Sequence, residues 1–194
     1  MARPSMAGQR REEILDALEL CILEKGIQAT SLENIAEKAR MKRTILRHYI
    51  GNRDQIIIAL SERWAKKYQQ EWQELMLWLP PANRSEALLD ALFTVHSKEM
   101  VNNAVIGEAI FSEAKRLPEI KAHQVAIMAE FISHACTTFQ QDYPNTAPDK
   151  IELVAHALYA NYLMSESLIP LKMVDEIHKL KQASRLLCQV LETN

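Results

Sequence analysis

The feature that most restricts the fold of this chain is the spacing of its apolar residues, which recur every three or four positions in almost every segment. The first such segment contains Ile14, Leu15, Leu18 and Ile22. It runs up to Gly26, a residue at which helices commonly stop. No segment alternates apolar and polar residues as a strand does. With only four glycines in 194 residues, the chain is predicted to be all-α.

Breaks in the helical pattern predict about nine helices, separated by glycines, prolines and asparagines. A long helix is expected over residues 53–78, since Pro80 and Pro81 prevent it from continuing. We expect a small N-terminal domain over residues 1–52 and a larger C-terminal domain over residues 53–194. The helix at 53–78 would connect them.

The composition of the chain limits the class of protein that it can be. The three cysteines, Cys21, Cys136 and Cys188, lie in apolar surroundings without the spacing of a zinc site or a disulfide framework. No apolar run reaches the roughly 20 residues needed to span a bilayer. The chain is 48% hydrophobic and 25% charged, which is typical of globular proteins. We therefore expect a cytoplasmic protein without a metal ion, a cofactor or a membrane segment.

Residues 10–50 predict three short helices. Thr30 and Glu33, in the sequence TSLE, fit a capping box at the start of the second helix. A short turn at Arg40 and Met41 precedes the third helix. A first helix followed by two helices that are joined by such a turn is the arrangement of a helix-turn-helix unit. The last helix of such a unit enters the DNA major groove.

The third predicted helix has an apolar face and a basic face. The residues expected to face the core are Ile45, Leu46, Tyr49 and Ile50. The opposite face would display Lys42, Arg43, Thr44, Arg47 and His48. From Lys38 to Arg53 there is no Asp or Glu, although the net charge of the chain is −2. Such a surface attracts DNA phosphates, and Arg can also pair with guanine O6 and N7. A solvated cationic face is the alternative that charge alone leaves open.

Residues 10–60 contain several motifs at characteristic spacings. The segment RREEILDALELCILEKGIQATSLENIAEKA contains Ile-Leu-x-Ala, Gly, Thr-Ser and Ile-Ala-x-x-Ala, and HYIGNRDQI follows. On these residues the chain resembles the TetR/AcrR-type one-component transcriptional regulators. It departs from the family at Arg40, where Gly is usual, and from Thr44 to Arg47. If Arg40 is left-handed, it costs about 1–2 kcal/mol; a different turn is the alternative.

The resemblance implies a set of DNA contacts, mainly with phosphates. They are Thr30, Arg43, Thr44, His48, Tyr49 and Arg53. Arg47 replaces a frequent Tyr, so a base contact, a phosphate contact and no contact all stay open. Together with Lys42 on the basic face, these residues predict binding to double-stranded DNA.

The last two predicted helices carry more apolar surface than one partner helix can cover. One stripe contains Ile151, Val154, Ala155, Leu158 and Tyr162, and a second contains Leu153, Ala157, Ala160 and Met164. The resemblance implies that the two helices pair with their copies in a homodimer that reads a palindromic operator. The predicted interface residues are Leu158, Tyr162, Ile177, Leu180, Ser184, Leu187 and Leu191. An ordinary monomer core is the alternative.

The resemblance also implies that a small-molecule effector, of unknown identity, binds in the C-terminal domain and controls the operator affinity of a repressor. The candidate residues are Trp64, Tyr68, Phe93, His96, Met100, Phe111, Met128, Phe131 and Tyr159. For each of them a plain core role is the alternative, since helical cores use the same residue types.

Catalytic motifs are missing from the sequence. A di-iron bundle needs two Glu-x-x-His units, and the nearest pattern is Asp175 with His178, which occurs once. There is no His-Glu-x-x-His, Gly-rich phosphate loop or Gly-x-Ser-x-Gly elbow. We therefore predict that the protein is not an enzyme. A helical ligand-binding module with lost or altered DNA recognition is the alternative function, because of the departures at Arg40 and from Thr44 to Arg47.

Overall fold

The structure, a computed structural model, describes residues 6–94 and 97–192, which form nine α-helices and no strand. The helices are α1 (Met6–Lys25), α2 (Leu32–Lys38), α3 (Arg43–Ile50), α4 (Arg53–Trp78), α5 (Arg84–Leu92), α6 (Lys98–Glu113), α7 (Pro118–Asp142), α8 (Pro148–Leu168) and α9 (Val174–Gln189), followed by a 3-10 turn at Val190–Glu192. The predicted all-α fold class is confirmed. Within these two ranges, no helix is both long and apolar enough to cross a membrane.

The chain packs into two compact units. Unit 1 consists of Met1–Lys66 and Val105–Gln124, and unit 2 consists of Lys67–Ala104 and Val125–Asn194. Unit 1 therefore contains α1, α2, α3 and the first half of α4, together with a segment from much later in the chain. The units are defined by packing, and the division into functional domains at residue 52 stays a prediction.

The core of unit 1 is built from apolar side chains of α1 to α4. Its fully buried members include Ile14, Leu18, Ile35, Leu46, Ile56, Ile57 and Leu60. Burial of such a side chain contributes about 1.5–3 kcal/mol to folding. Ile106, Ile110 and Ile120 join the same core. The N-terminal helices thus depend on packing from residues 105–124.

Helix α2 is capped one residue later than the sequence predicts. Ser31 is the N-cap residue, and its hydroxyl accepts from the backbone N–H of Asn34 at 3.2 Å. In return the side-chain oxygen of Asn34 accepts from the N–H of Ser31 at 3.0 Å. The predicted pairing of Thr30 with Glu33 is wrong, because the Thr30 hydroxyl donates to the Gly26 carbonyl at 2.8 Å instead. An asparagine performs the role expected of a glutamate.

The turn between α2 and α3 passes through Arg40 in the left-handed region, with φ of 53°. The N–H of Met41 donates to the carbonyl of Ala36 at 2.9 Å, a six-to-one bond typical of helix ends that close through a left-handed residue. Glycine is the usual residue there, since the Cβ of any other residue crowds the backbone at a cost of about 1–2 kcal/mol. The left-handed alternative for Arg40 is therefore the one observed.

In unit 2, α9 packs against both α8 and α5. The Asn161 side-chain amide on α8 donates to the Ser184 hydroxyl on α9 at 3.0 Å. The Thr146 hydroxyl, just before α8, donates to the Leu191 carbonyl at 2.7 Å. These two bonds fix an antiparallel register between the last two helices. The buried core beside them includes Trp72, Leu88, Leu89, Phe131, Phe139, Ala155 and Leu158.

Candidate nucleic-acid interface

The third helix presents its basic residues to solvent. Leu46 is fully buried in the core of unit 1 and holds α3 in place. The exposed residues are Lys42, Arg43, Thr44, Arg47 and His48. This is the set that the amphipathic pattern predicted for the outer face. The structure thus places the cationic side chains together on one accessible surface, which we call the basic face.

Ile45 does not face the core as predicted, because 44% of its surface is exposed. Successive helical residues are about 100° apart, so Ile45 lies on the flank of the narrow stripe that contains Leu46. Tyr49 and Ile50 are half-buried against the same core. An apolar side chain next to the basic face has the chemistry to contact a thymine methyl group.

One cation of the basic face is paired with a neighbouring helix. Arg43 forms an ion pair with Glu33 of α2, and both side chains are exposed. The pKa of Glu33 is lowered, first by its own backbone N–H and then by Arg43. Exposed pairs of this kind contribute little to stability, so a phosphate can replace Glu33 as the partner. Among the residues that the structure describes, Arg40 and Arg47 form no ion pair with a carboxylate.

Two of the predicted DNA contacts have structural bonds within unit 1. The Nε of Arg53, at the start of α4, donates to the Thr30 carbonyl at 2.6 Å, and its Nη2 donates to the Ile27 carbonyl. The Thr30 side chain is only 2% exposed. Both residues therefore tie the segment before α2 to the start of α4. Their DNA contacts stay predictions, and Thr30 has little side-chain surface for one.

A cluster around Arg116 supports this site and was not predicted from the sequence. The guanidinium donates to both oxygens of Asp54 at 2.7 and 2.8 Å. It also donates to Glu113, a carboxylate that is only 2% exposed and that accepts from the Gln28 side chain at 2.6 Å. The Asp54 pKa is lowered, mainly by Arg116. Asp54 and Arg116 are 62 positions apart, and no local sequence signal relates residues at that distance.

Comparisons with known proteins show what this chain is similar to. Residues 14–60 match the model of the bacterial regulatory proteins of the tetR family. Over 151 residues the chain is 26% identical to the HTH-type transcriptional regulator BetI of Paraburkholderia phymatum, covering 74% of each chain. It is 25% identical over 153 residues to BetI of Burkholderia cenocepacia, covering 75% of this chain and 76% of the relative.

Residues 14–60 are thus similar to the helix-turn-helix segment of tetR-family regulators.

Solved structures share the fold of this chain. A TetR transcription regulator from Haloarcula marismortui has a TM-score of 0.79 at 15% identity, covering 94% of this chain and 97% of the other. GusR of Salmonella enterica has a TM-score of 0.72 at 17% identity, covering 97% and 100%. At these identities the likeness shows the fold, an N-terminal helix-turn-helix unit followed by a helical C-terminal region.

The residues predicted for a dimer interface lie mostly inside unit 2. Leu158, Ile177, Ser184 and Leu191 are buried, Leu180 and Leu187 pack partly against the same core, and Tyr162 stacks on Phe131 at 5.3 Å. The apolar residues that α8 and α9 leave exposed are different ones. They include Leu153, which is 71% exposed, Leu186, which is 62% exposed, and Met164. The apolar surface that stays exposed therefore includes Leu153 and Met164 of the second stripe of α8, and Leu186 on α9.

The structure brings several of the predicted effector residues together in unit 2. Tyr68 meets Trp72 edge to face, with ring centroids 6.2 Å apart, and Trp72 meets Phe131 at 5.1 Å. Phe131 in turn contacts Tyr159 at 5.0 Å. Phe93 is buried, and Met128 packs against the same core. Sequence reasoning missed Trp72, although it lies one helical turn after Tyr68.

Other predicted effector residues are not part of this group. Trp64 belongs to unit 1, where its Nε1 donates to Glu19 at 2.6 Å. Phe111 is also in unit 1 and is exposed. Met100 is half-buried in unit 2. His96 lies outside the described residues.

Proposed function

We propose that this regulator is a cytoplasmic homodimeric repressor that binds a palindromic operator and releases it when a small molecule binds in unit 2. The observation that carries the DNA-binding part of the proposal is the basic face of α3, held in place by the buried Leu46. Arg43 and Arg47 project from this face together with Lys42 and His48. Such side chains supply both phosphate affinity and the means to read guanine.

The second apolar stripe supports a homodimer. Leu153, Ala160 and Met164 follow one another on the exposed side of α8. Leu186 is exposed on α9, the helix that the Asn161–Ser184 bond joins to α8. Exposed apolar patches of this kind mark interaction sites. A second copy is the natural occupant, because two antiparallel helix pairs with the same stripe close into a four-helix bundle.

A dimer explains how a short recognition helix can select an operator. Two copies of α3 held about 34–36 Å apart contact successive turns of the major groove on one side of the duplex. The two-fold symmetry of the protein then requires a palindromic site. A change in this separation weakens binding at both half-sites.

Helix α4 offers a route for effector control. An effector lowers operator affinity only if it binds the DNA-free geometry more tightly than the DNA-bound one. Helix α4 carries Arg53 at its first residue and Tyr68 and Trp72 further along. A displacement of α4 on effector binding would therefore move the residue that anchors the segment before α2.

Selection of bound sequences from a random DNA pool tests the proposal. At moderate salt we expect enrichment of one palindrome, with half-sites one DNA turn apart. The alternative, a ligand-binding module with altered DNA recognition, is favoured by the departures at Arg40 and at the exposed Ile45. It predicts effector binding without salt-dependent DNA affinity. Failure to enrich any palindrome would contradict the repressor proposal and leave this alternative.

Repression itself requires a second measurement. A reporter gene placed behind the selected palindrome should be silenced when the regulator is expressed. An activator would raise the reporter signal instead, and that outcome would contradict the repressor part of the proposal.

A further inference from the structure

Unit 2 contains a partly open cavity of about 600 Å³, a volume within the range of small-molecule sites. Its walls come from the α4–α5 loop, α5, the end of α7 and α9. Among the described residues that line it, Tyr143 is the only aromatic one. The cavity therefore does not involve the rings of Tyr68, Trp72 and Phe131.

One carboxylate of the cavity already has a cationic partner. The Nε of Arg185 on α9 donates to Oε2 of Glu86 on α5 at 2.9 Å, and its Nη2 donates to the other carboxylate oxygen. Paired bonds between a guanidinium and a carboxylate fix the orientation of both groups. Glu86 therefore offers a ligand oxygen atoms that accept hydrogen bonds, but no unpaired charge.

A second carboxylate is stabilised by the start of a helix. Asn83, the N-cap residue of α5, makes no side-chain bond to the helix. Asp142, at the end of α7, takes this role, since its Oδ2 accepts from the backbone N–H of Ser85 at 2.7 Å. The N-terminus of a helix carries partial positive charge and stabilises an anion. Glu192, the third carboxylate of the lining, is exposed to solvent. The lining therefore does not require a cationic ligand.

A buried hydroxyl lines the cavity without a partner. Ser85 is only 4% exposed, and its Oγ makes no hydrogen bond within the protein. Burial raises the pKa of Tyr143, neighbouring acidic groups add to this rise, and Ser85 opposes it, which places the two hydroxyls near each other. A buried hydroxyl without a partner destabilises the fold, because it has lost its bonds to water. A ligand hydroxyl beside Ser85 would restore the missing bond.

The rest of the lining combines amides with a small apolar surface. Asn83, Gln141 and Gln189 each supply a carbonyl acceptor and an NH₂ donor. Leu89 and Cys188 are buried and form the apolar part. Burial raises the pKa of Cys188 to about 12, so its thiol stays protonated and is not a nucleophile. The cavity is thus built for reversible binding of a polar molecule.

We propose that this cavity binds a neutral polyhydroxylated molecule of the size of one or two sugar rings. Each hydroxyl of such a molecule both donates and accepts, so it matches amides, carboxylates and hydroxyls alike. An apolar ligand would bury these polar groups without partners. An ion would find the charges of Glu86 and Asp142 already compensated. The inference goes beyond the proposed function, because it requires neither DNA binding nor a change in operator affinity.

Titration of the full chain followed by saturation-transfer NMR tests the proposal. The neutral probes are D-ribose, D-glucose, myo-inositol and trehalose. We expect at least one of them to bind saturably, with a Kd of about 1 mM or below. Cyclohexanol, a ring with a single hydroxyl, should bind more weakly than that probe. D-glucosamine and D-glucuronate add a positive and a negative charge, and neither should bind more tightly than the best neutral probe.

Two variants locate the binding site. Ser85→Ala should weaken binding of the best probe about tenfold, yet fold at least as stably as the wild type, because it removes a hydroxyl that lacks a partner. Ala82→Trp fills the cavity from an exposed position of its lining and should abolish binding. Ser133→Ala changes an exposed serine of α7 outside the cavity and should leave the affinity unchanged.

Three results would overturn the proposal. The first is that none of the four neutral probes binds saturably. The second is that cyclohexanol or a charged analogue binds more tightly than all four, which would assign the cavity to another class of ligand. The third is that binding persists unchanged in both Ser85→Ala and Ala82→Trp, which would place the saccharide elsewhere on the chain.

Discussion

The guanidinium of Arg116 donates to both carboxylate oxygens of Asp54, at 2.7 and 2.8 Å. Asp54 is the second residue of α4, directly after the helix-turn-helix segment, and Arg116 follows α6. The same guanidinium donates to the buried Glu113. Paired, planar hydrogen bonds of this kind constrain orientation as well as distance. Arg116 therefore attaches residues 105–124 to the start of α4 within unit 1.

Replacement of Arg116 by Ala should destabilise unit 1. The buried Glu113 would keep Gln28 but lose its cationic partner, at a cost of about 1–2 kcal/mol after allowance for the exposure of Arg116. Denaturant unfolding followed by circular dichroism measures the change. Arg10→Ala removes an exposed pair with Glu13 and should leave the midpoint unchanged. Equal midpoints for both variants would show that the Arg116 cluster has no structural role.

Replacement of Arg40 by Gly should stabilise the protein by about 0.5–1 kcal/mol. Glycine removes the crowding of Cβ at φ of 53° but loses more backbone entropy on folding. The matched control is Ala39→Gly, where φ is −76° and the same substitution should destabilise. The opposite order of unfolding midpoints would mean that Arg40 is not held in the left-handed region in solution.

Replacement of Arg47 by Ala should weaken operator binding. If Arg47 contacts a phosphate, all sequences should lose affinity similarly, and the slope of log affinity against log salt should decrease by about one unit. If it reads guanine, one operator position should lose its preference instead. Lys179→Ala, an exposed cation on α9 paired with Glu176, serves as the control. An Arg47 variant with wild-type affinity and slope would exclude any contact.

Stability should depend on pH through Glu166. Its pKa is 4.5 in the unfolded chain and about 7 in the folded one, so the folded state holds more proton between these values. The stabilising contribution is full below about pH 4.5 and is lost as the pH rises through 7. Glu166→Gln should therefore be on the order of 2 kcal/mol more stable than the wild type at pH 8, and similar to it at pH 4.5. Thermal unfolding across this range measures the difference, with Glu152→Gln, a change of an exposed glutamate on the same helix, as the control.

Replacement of Leu186 by Glu should disrupt the homodimer. Leu186 is exposed in the isolated chain, so a glutamate there is tolerated in the monomer but places two like charges in the two-fold interface. Sedimentation analysis should show a monomer at concentrations where the wild type is dimeric. Leu77→Glu, at an exposed leucine of α4, should remain dimeric. A dimeric Leu186 variant would move the interface elsewhere.

Helix α3 shows how much of the structure a local sequence pattern can predict. Its span, its basic residues and its anchor Leu46 follow from side chains three and four positions apart, which share a helix face whatever surrounds it. The pattern does not specify how wide the buried stripe is. The pattern therefore predicts a buried Ile45, whereas the structure buries Leu46 and leaves Ile45 exposed.

The last two helices show the same limit. The sequence shows two apolar stripes on α8. It does not show which of them packs against the rest of the chain and which stays exposed. Leu158 faces the chain's own core, and Leu153 faces outward. The residues predicted to contact a second copy are mostly buried in, or packed against, the core of unit 2, and their role in a dimer stays a prediction.

The all-α fold, the bounds of α4 and the basic face can be predicted from the sequence, because they depend on propensities, turn residues and charges that act over a few positions. Folding of the whole chain is needed to bring Arg116 to Asp54 and to bury one stripe of α8 while Leu153 and Leu186 stay exposed. These relations join residues distant in the chain, or depend on what covers a helix face. They arise when apolar surfaces are buried together, and no short segment encodes them.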